Sequence, residues 1–260
     1  MMPSRERAEK ILFLLGELLY ESQRVLSSSH AVLVFGAHRF VVPKGWADSS
    51  LRNLEHVFVK HDYDRIPGFT RVPRGSTVVD LGAYVGFFSV KVHSESPGAR
   101  LVAVEANPQA CRYLRHNLRM NGVRSEAYCL AVGESDGVGR LFVAEDPVNS
   151  SLLEEYSSSF SRVSGVARVA QLSLSSLWRR LDVGHASLLK VDVEGVEERV
   201  LRASRDVLTP GCVDRVVVEV HPPYSSPSRV VELLERGFHV ATYYDYEAPF
   251  QVFVYGWAKR

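Results

Sequence analysis

The sequence has almost no net charge and no long apolar run. Its 31 lysines and arginines nearly balance its 30 aspartates and glutamates, which leaves a formal net charge of +1. Obligate nucleic-acid-binding proteins are strongly basic, so nucleic acid is not an expected partner. The apolar segment at residues 11–20 is shorter than the roughly 20 residues of a membrane span and contains Gly16 and Glu17. We therefore predict no membrane span, and we interpret this segment as an amphipathic helix that packs on its own domain or joins a homodimer.

Cysteine is also scarce. The three cysteines, Cys111, Cys129 and Cys212, are scattered and form no Cys-x-x-Cys pair. Their odd number and irregular spacing indicate neither a disulfide framework nor a zinc site. A reducing, cytoplasmic location is therefore expected.

The pattern of the chain changes near its first quarter. Residues 1–72 combine helical segments with a predicted β-hairpin around Gly36, and we assign them to an N-terminal extension. In residues 73–260, strands alternate with helices, which is typical of a mainly parallel sheet. The last two strands are separated only by a Glu-Ala-Pro segment, and such a short connection predicts an antiparallel hairpin.

The strands can be placed individually. Parallel strands are predicted at residues 77–81, 101–105 and 126–132, and in the segments SLLKVDV and RVVVEV. The segment GRLFVAE predicts an additional edge strand. The serine-rich residues 149–165 show no periodicity, so we predict a mobile loop there. This loop could be a lid over the site or an ordinary insertion, and the sequence leaves both open.

One helix has clear ends. After the second strand, Asn107 is a suitable N-cap and Pro108 suits the first helical position. The pair Asn121-Gly122 supplies the stop signal. The sequence therefore predicts a helix between these two points.

The turn after the first parallel strand contains glycines. In the stretch STVVDLGAYVGFFSV, Asp80 is followed by Gly82 and Gly86. Glycines at a strand-to-helix turn let the backbone approach a ligand closely. The dinucleotide fingerprint requires glycine where Tyr84 and Phe87 stand, and no Gly-Lys-Ser/Thr of a P-loop follows. The remaining Asp-x-Gly-x-x-x-Gly pattern resembles motif I of S-adenosylmethionine (AdoMet) methyltransferases.

Further segments strengthen this resemblance. Glu105 ends the second strand, where an acidic side chain can accept hydrogen bonds from ribose hydroxyls. The blocks VVDLGAYVGFFSV, VAVEANPQACRYLRHNLRMNG, AVGESDG, NSSL, LLKVDVEGVEERVL and VVVEVH, in this order, resemble the FkbM-type methyltransferases. The resemblance covers about residues 77–240, and KVDVEGVE is its most specific block.

The resemblance implies a fold and an activity. The fold is the class I Rossmann-like α/β sandwich, with a mostly parallel seven-stranded sheet that ends in an antiparallel C-terminal hairpin. The activity is AdoMet-dependent O-methylation of a hydroxyl on a sugar or natural product, with S-adenosylhomocysteine as the second product. The residues that we expect to bind the cofactor are Asp80, Gly82, Ala83, Tyr84, Gly86, Phe87, Glu105, Ala106, Asn107, Ala131 and Asp192.

Candidate catalytic residues follow the fourth and fifth strands. Asp192 and Glu194 come after one strand, and Glu219 and His221 end the next. Open α/β sheets bind ligands at this edge, so these side chains should converge there. We expect Asp192 to contact the methyl acceptor and His221 to act as general base, with Glu194 either catalytic or a plain helix cap. A divalent metal is not expected, but Asp192, Glu219 and His221 are the residues that could hold one.

Two other functions remain open on the sequence alone. One is N-methylation of tRNA or of a protein, because VEANPQACRYLRHNLRMNG resembles part of the tRNA guanine methylases. The segment HPPY, which begins at His221, also resembles the Asn/Asp-Pro-Pro-Tyr motif of amine methylases, but histidine lacks the side-chain carbonyl and the segment follows the wrong strand. The other is a non-catalytic AdoMet-binding scaffold.

Overall fold

The computed structural model describes residues 29–244 and 248–259 of the 260-residue chain. The predicted helix at residues 11–20, and any dimer formed through it, lie outside these ranges. Within them, no helix is long and apolar enough to cross a lipid bilayer. The strands are β1 His30–Phe35, β2 His38–Pro43, β3 Thr77–Leu81, β4 Arg100–Glu105, β5 Ser125–Cys129, β6 Ala131–Gly133, β7 Gly137–Ala144, β8 Val163–Ser173, β9 Leu188–Val191, β10 Arg215–Val220, β11 Phe238–Tyr244 and β12 Val252–Ala258. The helices are α1 Ala47–Phe58, α2 Phe87–Glu95, α3 Pro108–Met120, α4 Glu154–Phe160, α5 Leu174–Arg180, α6 Glu197–Ala203 and α7 Pro227–Leu234.

The centre of the protein is a seven-stranded sheet. Its strand order is β11-β12-β10-β9-β3-β4-β5. The pairs from β10 to β5 are parallel, and β12 runs antiparallel to both of its neighbours. This arrangement confirms the predicted Rossmann-like sheet with its C-terminal hairpin. From β3 the chain adds β4 and β5 on one side of the sheet, and the later strand β9 pairs with the other side of β3. The direction of strand addition therefore reverses at β3, and a ligand crevice is expected at the carboxyl end of that strand.

Helices cover both faces of this sheet, which explains why its strands are apolar on both sides. On one face, α2 and α3 pack together with α1 and the β1–β2 hairpin, as in the edge-to-face contact of Phe40 with Phe87 at 4.6 Å between ring centroids. On the other face, α5, α6 and α7 pack through residues such as Leu177, Leu201 and Leu234. The described part of the N-terminal extension thus shares a hydrophobic core with the central sheet.

A second, smaller sheet was not predicted. The strand expected at residues 126–132 divides at Leu130, because β5 pairs with β4 whereas β6 leaves to pair with β8. The predicted edge strand GRLFVAE corresponds to β7, but it pairs with β8 in the order β6-β8-β7 and does not join the central sheet. Two-residue periodicity identifies a strand without identifying its partner.

The prediction of a mobile loop at residues 149–165 was wrong. This segment contains α4 and the start of β8. Its serines make internal hydrogen bonds: Ser157 Oγ accepts from the backbone N–H of Ser151 at 3.1 Å and donates to the carbonyl of Phe142 at 3.2 Å. Both serines are buried, so this part of the segment is a packed, hydrogen-bonded turn.

The expectation that the cysteines would stay unpaired was also wrong. Cys111 in α3 and Cys129 at the end of β5 form a disulfide, with their Cα atoms 5.6 Å apart. The two residues are 18 positions apart, so only tertiary structure brings them together. Because disulfides are rare in the reducing cytoplasm, the cytoplasmic prediction loses the argument on which it rested.

We expect Cys129→Ser to lower the free energy of unfolding by about 3 kcal/mol, because closing a loop of this length restricts the unfolded chain. Urea denaturation of the oxidised protein measures the loss. Cys212→Ser is the matched control, since Cys212 is free and its replacement should change stability little. Unchanged stability of the wild-type protein in dithiothreitol would contradict the disulfide.

Candidate functional site

A pocket opens at the carboxyl edge of the central sheet, above β3, β4 and β9. It lies at the crevice that the strand order predicts. Several predicted site residues line it: Gly82, Ala83, Tyr84, Phe87, Glu105, Ala106, Ala131, Asp192 and Glu194. Its wall also contains Ser150, Ser151 and Leu152, from the serine-rich segment.

Gly82 lines the pocket, and the protein itself gives a further reason for the absence of a side chain there. The φ of Gly82 is +76°, and a Cβ there would lie 1.7 Å from the carbonyl oxygen of Asp192. The glycine therefore allows the ends of β3 and β9 to approach each other. Its backbone N–H and that of Ala83 both donate to the carbonyl of Val104, each at 2.9 Å, which fixes the turn against β4.

Glu105 fixes two backbone segments around the pocket. One carboxylate oxygen accepts from the N–H of Tyr84 at 2.7 Å, and the other accepts from the N–H of Asn107 at 2.7 Å. Burial raises the pKa of Glu105 to about 7, against the opposing effect of these two hydrogen bonds. Its protonation therefore changes close to neutral pH.

Three predicted cofactor residues do not line the pocket. The Asn107 side chain caps α3 by accepting from the N–H of Gln109 at 2.9 Å, as predicted for the helix start. Gly86, with φ of +102°, begins α2. Asp80 lies beneath the turn, where Oδ2 accepts from Ser89 Oγ at 2.6 Å. These three residues therefore stabilise the backbone around the pocket without lining it.

Lys190, in β9, is a site residue that sequence reasoning missed. Its ammonium donates to the carbonyl of Gly82 at 2.8 Å and lies 3.3 Å from Asp80 Oδ1 and 3.1 Å from Asp192 Oδ2. Burial opposes its charge, but these carboxylates and Glu219 raise its pKa above the ordinary value. A lysine inside the apolar run SLLKVDV was the available signal, since lysine is rarely buried without a partner.

The four carboxylates of Asp192, Glu194, Glu197 and Glu219, called the acidic cluster below, surround the His221 imidazole. Nε2 lies 4.0 Å from Asp192 Oδ1, 3.6 Å from Glu194 Oε2 and 3.6 Å from Glu219 Oε1. Nδ1 lies 3.0 Å from Glu197 Oε1. The predicted convergence of Asp192, Glu194, Glu219 and His221 is thus present in the structure.

These charges perturb the His221 imidazole. Burial alone would lower its pKa, but the charges of Glu194 and Glu197 and hydrogen bonding to Glu197 and Glu219 raise it well above the ordinary value. For Glu194, burial raises the pKa, and the nearby His221 opposes that rise. The imidazole is therefore protonated at neutral pH when only these side chains surround it, which is the wrong form for a general base.

Tyr63 is a second residue that the sequence analysis missed. Its hydroxyl donates to Asp192 Oδ2 at 2.9 Å and also bonds to Glu219 Oε2. Burial and the neighbouring carboxylates raise its pKa, so it stays a neutral donor. It precedes β3, in a segment where no motif pointed to a site.

Helix α4 closes the other side of the acidic cluster. The hydroxyl of Tyr156 bonds to Glu194 Oε2, and its ring contacts His221 edge-on at 5.5 Å. Ser151 Oγ donates to the carbonyl of Glu194 at 2.5 Å. In the segment HPPY, the hydroxyl of Tyr224 bonds to Ser159 Oγ at 2.5 Å, so this tyrosine holds α4 in place and does not line the pocket.

The chain is similar in sequence to known methyltransferases. The model of the methyltransferase FkbM domain matches residues 80–240. Methyltransferase sdnD of Sordaria araneosa is 30% identical over an aligned length of 214 residues, and the match covers 72% of this chain and 81% of that protein. The 31-O-demethyl-FK506 methyltransferase FkbM of Streptomyces tacrolimicus is 28% identical over 197 residues, 66% of this chain and 75% of that protein.

Solved structures are more distant. An rRNA methylase from Streptococcus thermophilus superposes with a TM-score of 0.48 at 13% identity, over 78% of this chain and 96% of that one. The match to the domain model covers more than half of the chain. The chain therefore belongs to the FkbM methyltransferase family, and it is an enzyme that uses AdoMet as its methyl donor.

Proposed function

We propose that the protein methylates a hydroxyl oxygen of a small natural product or sugar. The observation that carries the proposal is the state of Asp192 at the pocket wall. Its Oδ1 is buried, yet no described residue donates a hydrogen bond to it. A buried carboxylate oxygen without a donor is costly, so a donor on the substrate is expected. The name of the Streptomyces tacrolimicus relative, an O-demethyl-FK506 methyltransferase, supports a hydroxyl as that donor.

The pocket residues fit AdoMet. Leu130, Val132 and Leu141 give an apolar wall that suits an adenine ring. The Glu105 carboxylate, at the end of β4, retains lone pairs that can accept from ribose hydroxyls. AdoMet supplies an electrophilic methyl group on a sulfonium, and the transfer leaves S-adenosylhomocysteine.

A residue of the chain then has to accept the proton of the acceptor hydroxyl. As the acceptor oxygen bonds to the methyl group, its hydroxyl proton must leave, and Asp192 Oδ1 is the base that we propose. Tyr63 and Lys190 both hold the other oxygen, Oδ2, so the orientation of the carboxylate is fixed before the acceptor binds. Holding reactants in line is the main contribution expected of such a site.

The other predicted catalytic residues take positioning roles in this proposal. Glu194 has φ of +54° and is held through both its carboxylate and its backbone, by Tyr156 and Ser151 respectively. It therefore fixes the wall between the pocket and α4. His221 does not line the pocket and contacts the acceptor-binding region through Asp192.

The proposal is tested with matched acceptors. Methyl-labelled AdoMet is incubated with the enzyme and pairs of polyketides or sugars that differ only in a hydroxyl or an amine at one carbon. Mass spectrometry should find one added methyl group on the hydroxyl member of a pair. Methylation of amine members alone, or of RNA in a strongly salt-dependent way, would contradict the proposal.

We expect S-adenosylhomocysteine to bind about tenfold more tightly at pH 8 than at pH 6. Ribose hydroxyls donate to the ionised carboxylate of Glu105, whose pKa is about 7. The ionised fraction therefore rises from about one tenth at pH 6 to about nine tenths at pH 8. Calorimetric titration measures the change. The Glu105→Gln variant reports the titration of the ligand's own amino group, and an equally large pH dependence in that variant would refute the role of Glu105.

A further inference from the structure

We propose that Asp192, Glu219 and His221 bind a divalent transition-metal ion of the Mn²⁺ or Fe²⁺ type, with Glu194 as a fourth ligand. One ligand atom from each of the first three residues lies within 4.8 Å of the others. The Nε2 atom of His221 is 3.6–4.0 Å from an oxygen of each carboxylate. Ligands bonded at about 2.1 Å to one ion lie roughly 3 to 4 Å apart, so the spacing suits a shared ion.

The unpartnered oxygen of Asp192, which we paired above with a substrate hydroxyl, can instead be satisfied by a metal ion. Asp192 is only 9% exposed, and Oδ1 has no hydrogen-bond donor among the described residues. This oxygen is also the one directed to His221, at 4.0 Å from Nε2. A metal ion between the two atoms would satisfy both lone pairs at once.

The residues around these ligands have the arrangement that metal sites use. Histidine ligands commonly donate their other ring N–H to a carboxylate, and Nδ1 of His221 lies 3.0 Å from Glu197 Oε1. Tyr63 bonds to the outer oxygens, Oδ2 of Asp192 and Oε2 of Glu219. The inner oxygens, Oδ1 and Oε1, are thereby left directed toward the imidazole.

The balance of charge also calls for a cation. The acidic cluster and Asp80 together contain five carboxylates, and the described cationic partners in contact with them at the centre are Lys190 and the imidazole of His221. Like charges at this spacing repel strongly in a buried site. A divalent ion among these oxygens would offset this repulsion.

Lys190 does not occupy the proposed site. Its ammonium lies against Asp192 Oδ2, the oxygen on the far side of the carboxylate from His221. The ligand set contains carboxylate oxygens and one imidazole, which suits Mn²⁺ or Fe²⁺ better than the thiolate-preferring ions. Mg²⁺ prefers oxygen ligands and water, so an imidazole ligand disfavours it.

The role of the ion rests on the proposed function, but its binding does not. In an O-methyltransferase the ion would bind the acceptor oxygen and lower the pKa of its hydroxyl, and a nearby carboxylate would then take the proton. With Oδ1 bound to the ion, Asp192 would act on the acceptor oxygen through the ion, and another carboxylate of the acidic cluster would take the proton.

Metal binding is tested directly on the full chain. Protein freed of metal with EDTA is titrated with Mn²⁺ and followed by electron paramagnetic resonance, and AdoMet binding is measured in parallel to show that the fold is intact. We expect one Mn²⁺ per chain, and at least 100-fold weaker binding in Glu219→Gln and His221→Ala. His185→Ala is the matched control, because His185 pairs with Asp214 at the protein surface and should not affect binding. Glu197→Gln, which keeps every ligand, should weaken binding 10- to 100-fold.

The outcomes separate the two proposals. Absence of stoichiometric Mn²⁺ binding by an AdoMet-binding wild-type protein overturns the metal site and leaves hydroxyl methylation intact. Equal Mn²⁺ binding by wild type and His221→Ala also overturns it. Mn²⁺ binding that needs His221, together with methylation of amine acceptors alone, supports the metal site and overturns the proposed function.

Discussion

Asp192→Asn should reduce kcat for methyl transfer by about 10² to 10⁴-fold, the usual contribution of a positioned acid or base. Asparagine keeps the size of the side chain and can still accept from Tyr63, so the pocket should keep its shape. The amide cannot accept a proton, however, and it is a poor metal ligand. Steady-state kinetics with the acceptor found in the matched-pair assay measures the loss.

The control for this variant is Asp214→Asn. Asp214 is half-exposed and directly precedes β10, at the amino end of that strand, whereas the pocket lies at the carboxyl ends of the strands. It undergoes the same chemical change without touching the site, so its kcat should equal that of the wild type. Equal activity of Asp192→Asn and the wild type would show that the base is another group.

Gly82→Ala should lower the free energy of unfolding by more than about 4 kcal/mol and abolish AdoMet binding. A Cβ on Gly82 would overlap the carbonyl oxygen of Asp192, at 1.7 Å. Asp192 directly follows β9 and donates its N–H to the carbonyl of Leu81 at 3.2 Å, so its backbone cannot move aside easily. The clash would push the turn away from β9, and the Lys190 bond to the Gly82 carbonyl would be broken. Urea denaturation and calorimetric titration with AdoMet measure the two effects.

Gly122→Ala separates the clash from the backbone conformation. Gly122 has a similar φ of +69°, yet nothing lies within 4 Å of its missing Cβ. Its replacement should therefore cost only the strain of a left-handed alanine, about 1 to 2 kcal/mol. If the two variants lost equal stability, the contact between β3 and β9 would not be the reason for glycine at position 82.

The parts of the fold that follow local rules were predictable. Apolar β-branched runs marked β3, β9 and β10, and the Asn107-Pro108 pair marked the start of α3, because strand burial and helix capping depend on neighbouring residues. The second sheet was not predictable in the same way, since the partner of β7 is β8, which lies across the intervening serine-rich segment.

The site also has parts that local sequence rules predict and parts that depend on tertiary packing. The carboxyl ends of adjacent parallel strands must meet, so Asp192 and His221 could be brought together from the strand order alone. Tyr63 could not, because its approach depends on how the N-terminal extension packs on α2, as in its edge-on contact with Phe88 at 5.2 Å. The pairing of Cys111 with Cys129 likewise depends on the position of α3 over β5.

The contact of Tyr63 with Asp192 and Glu219 has a consequence for engineering. The family domain matches residues 80–240, so a natural choice for a chimera is to exchange everything before residue 80 for the corresponding part of a relative. Such an exchange would remove the hydroxyl that orients two carboxylates of the acidic cluster, Asp192 and Glu219. It would also remove Ser50, which bonds at 2.8 Å to the hydroxyl of Tyr84, a residue that lines the pocket. Grafted variants should therefore retain Ser50 and Tyr63 from the recipient, because both residues bond to side chains at the pocket or in the acidic cluster.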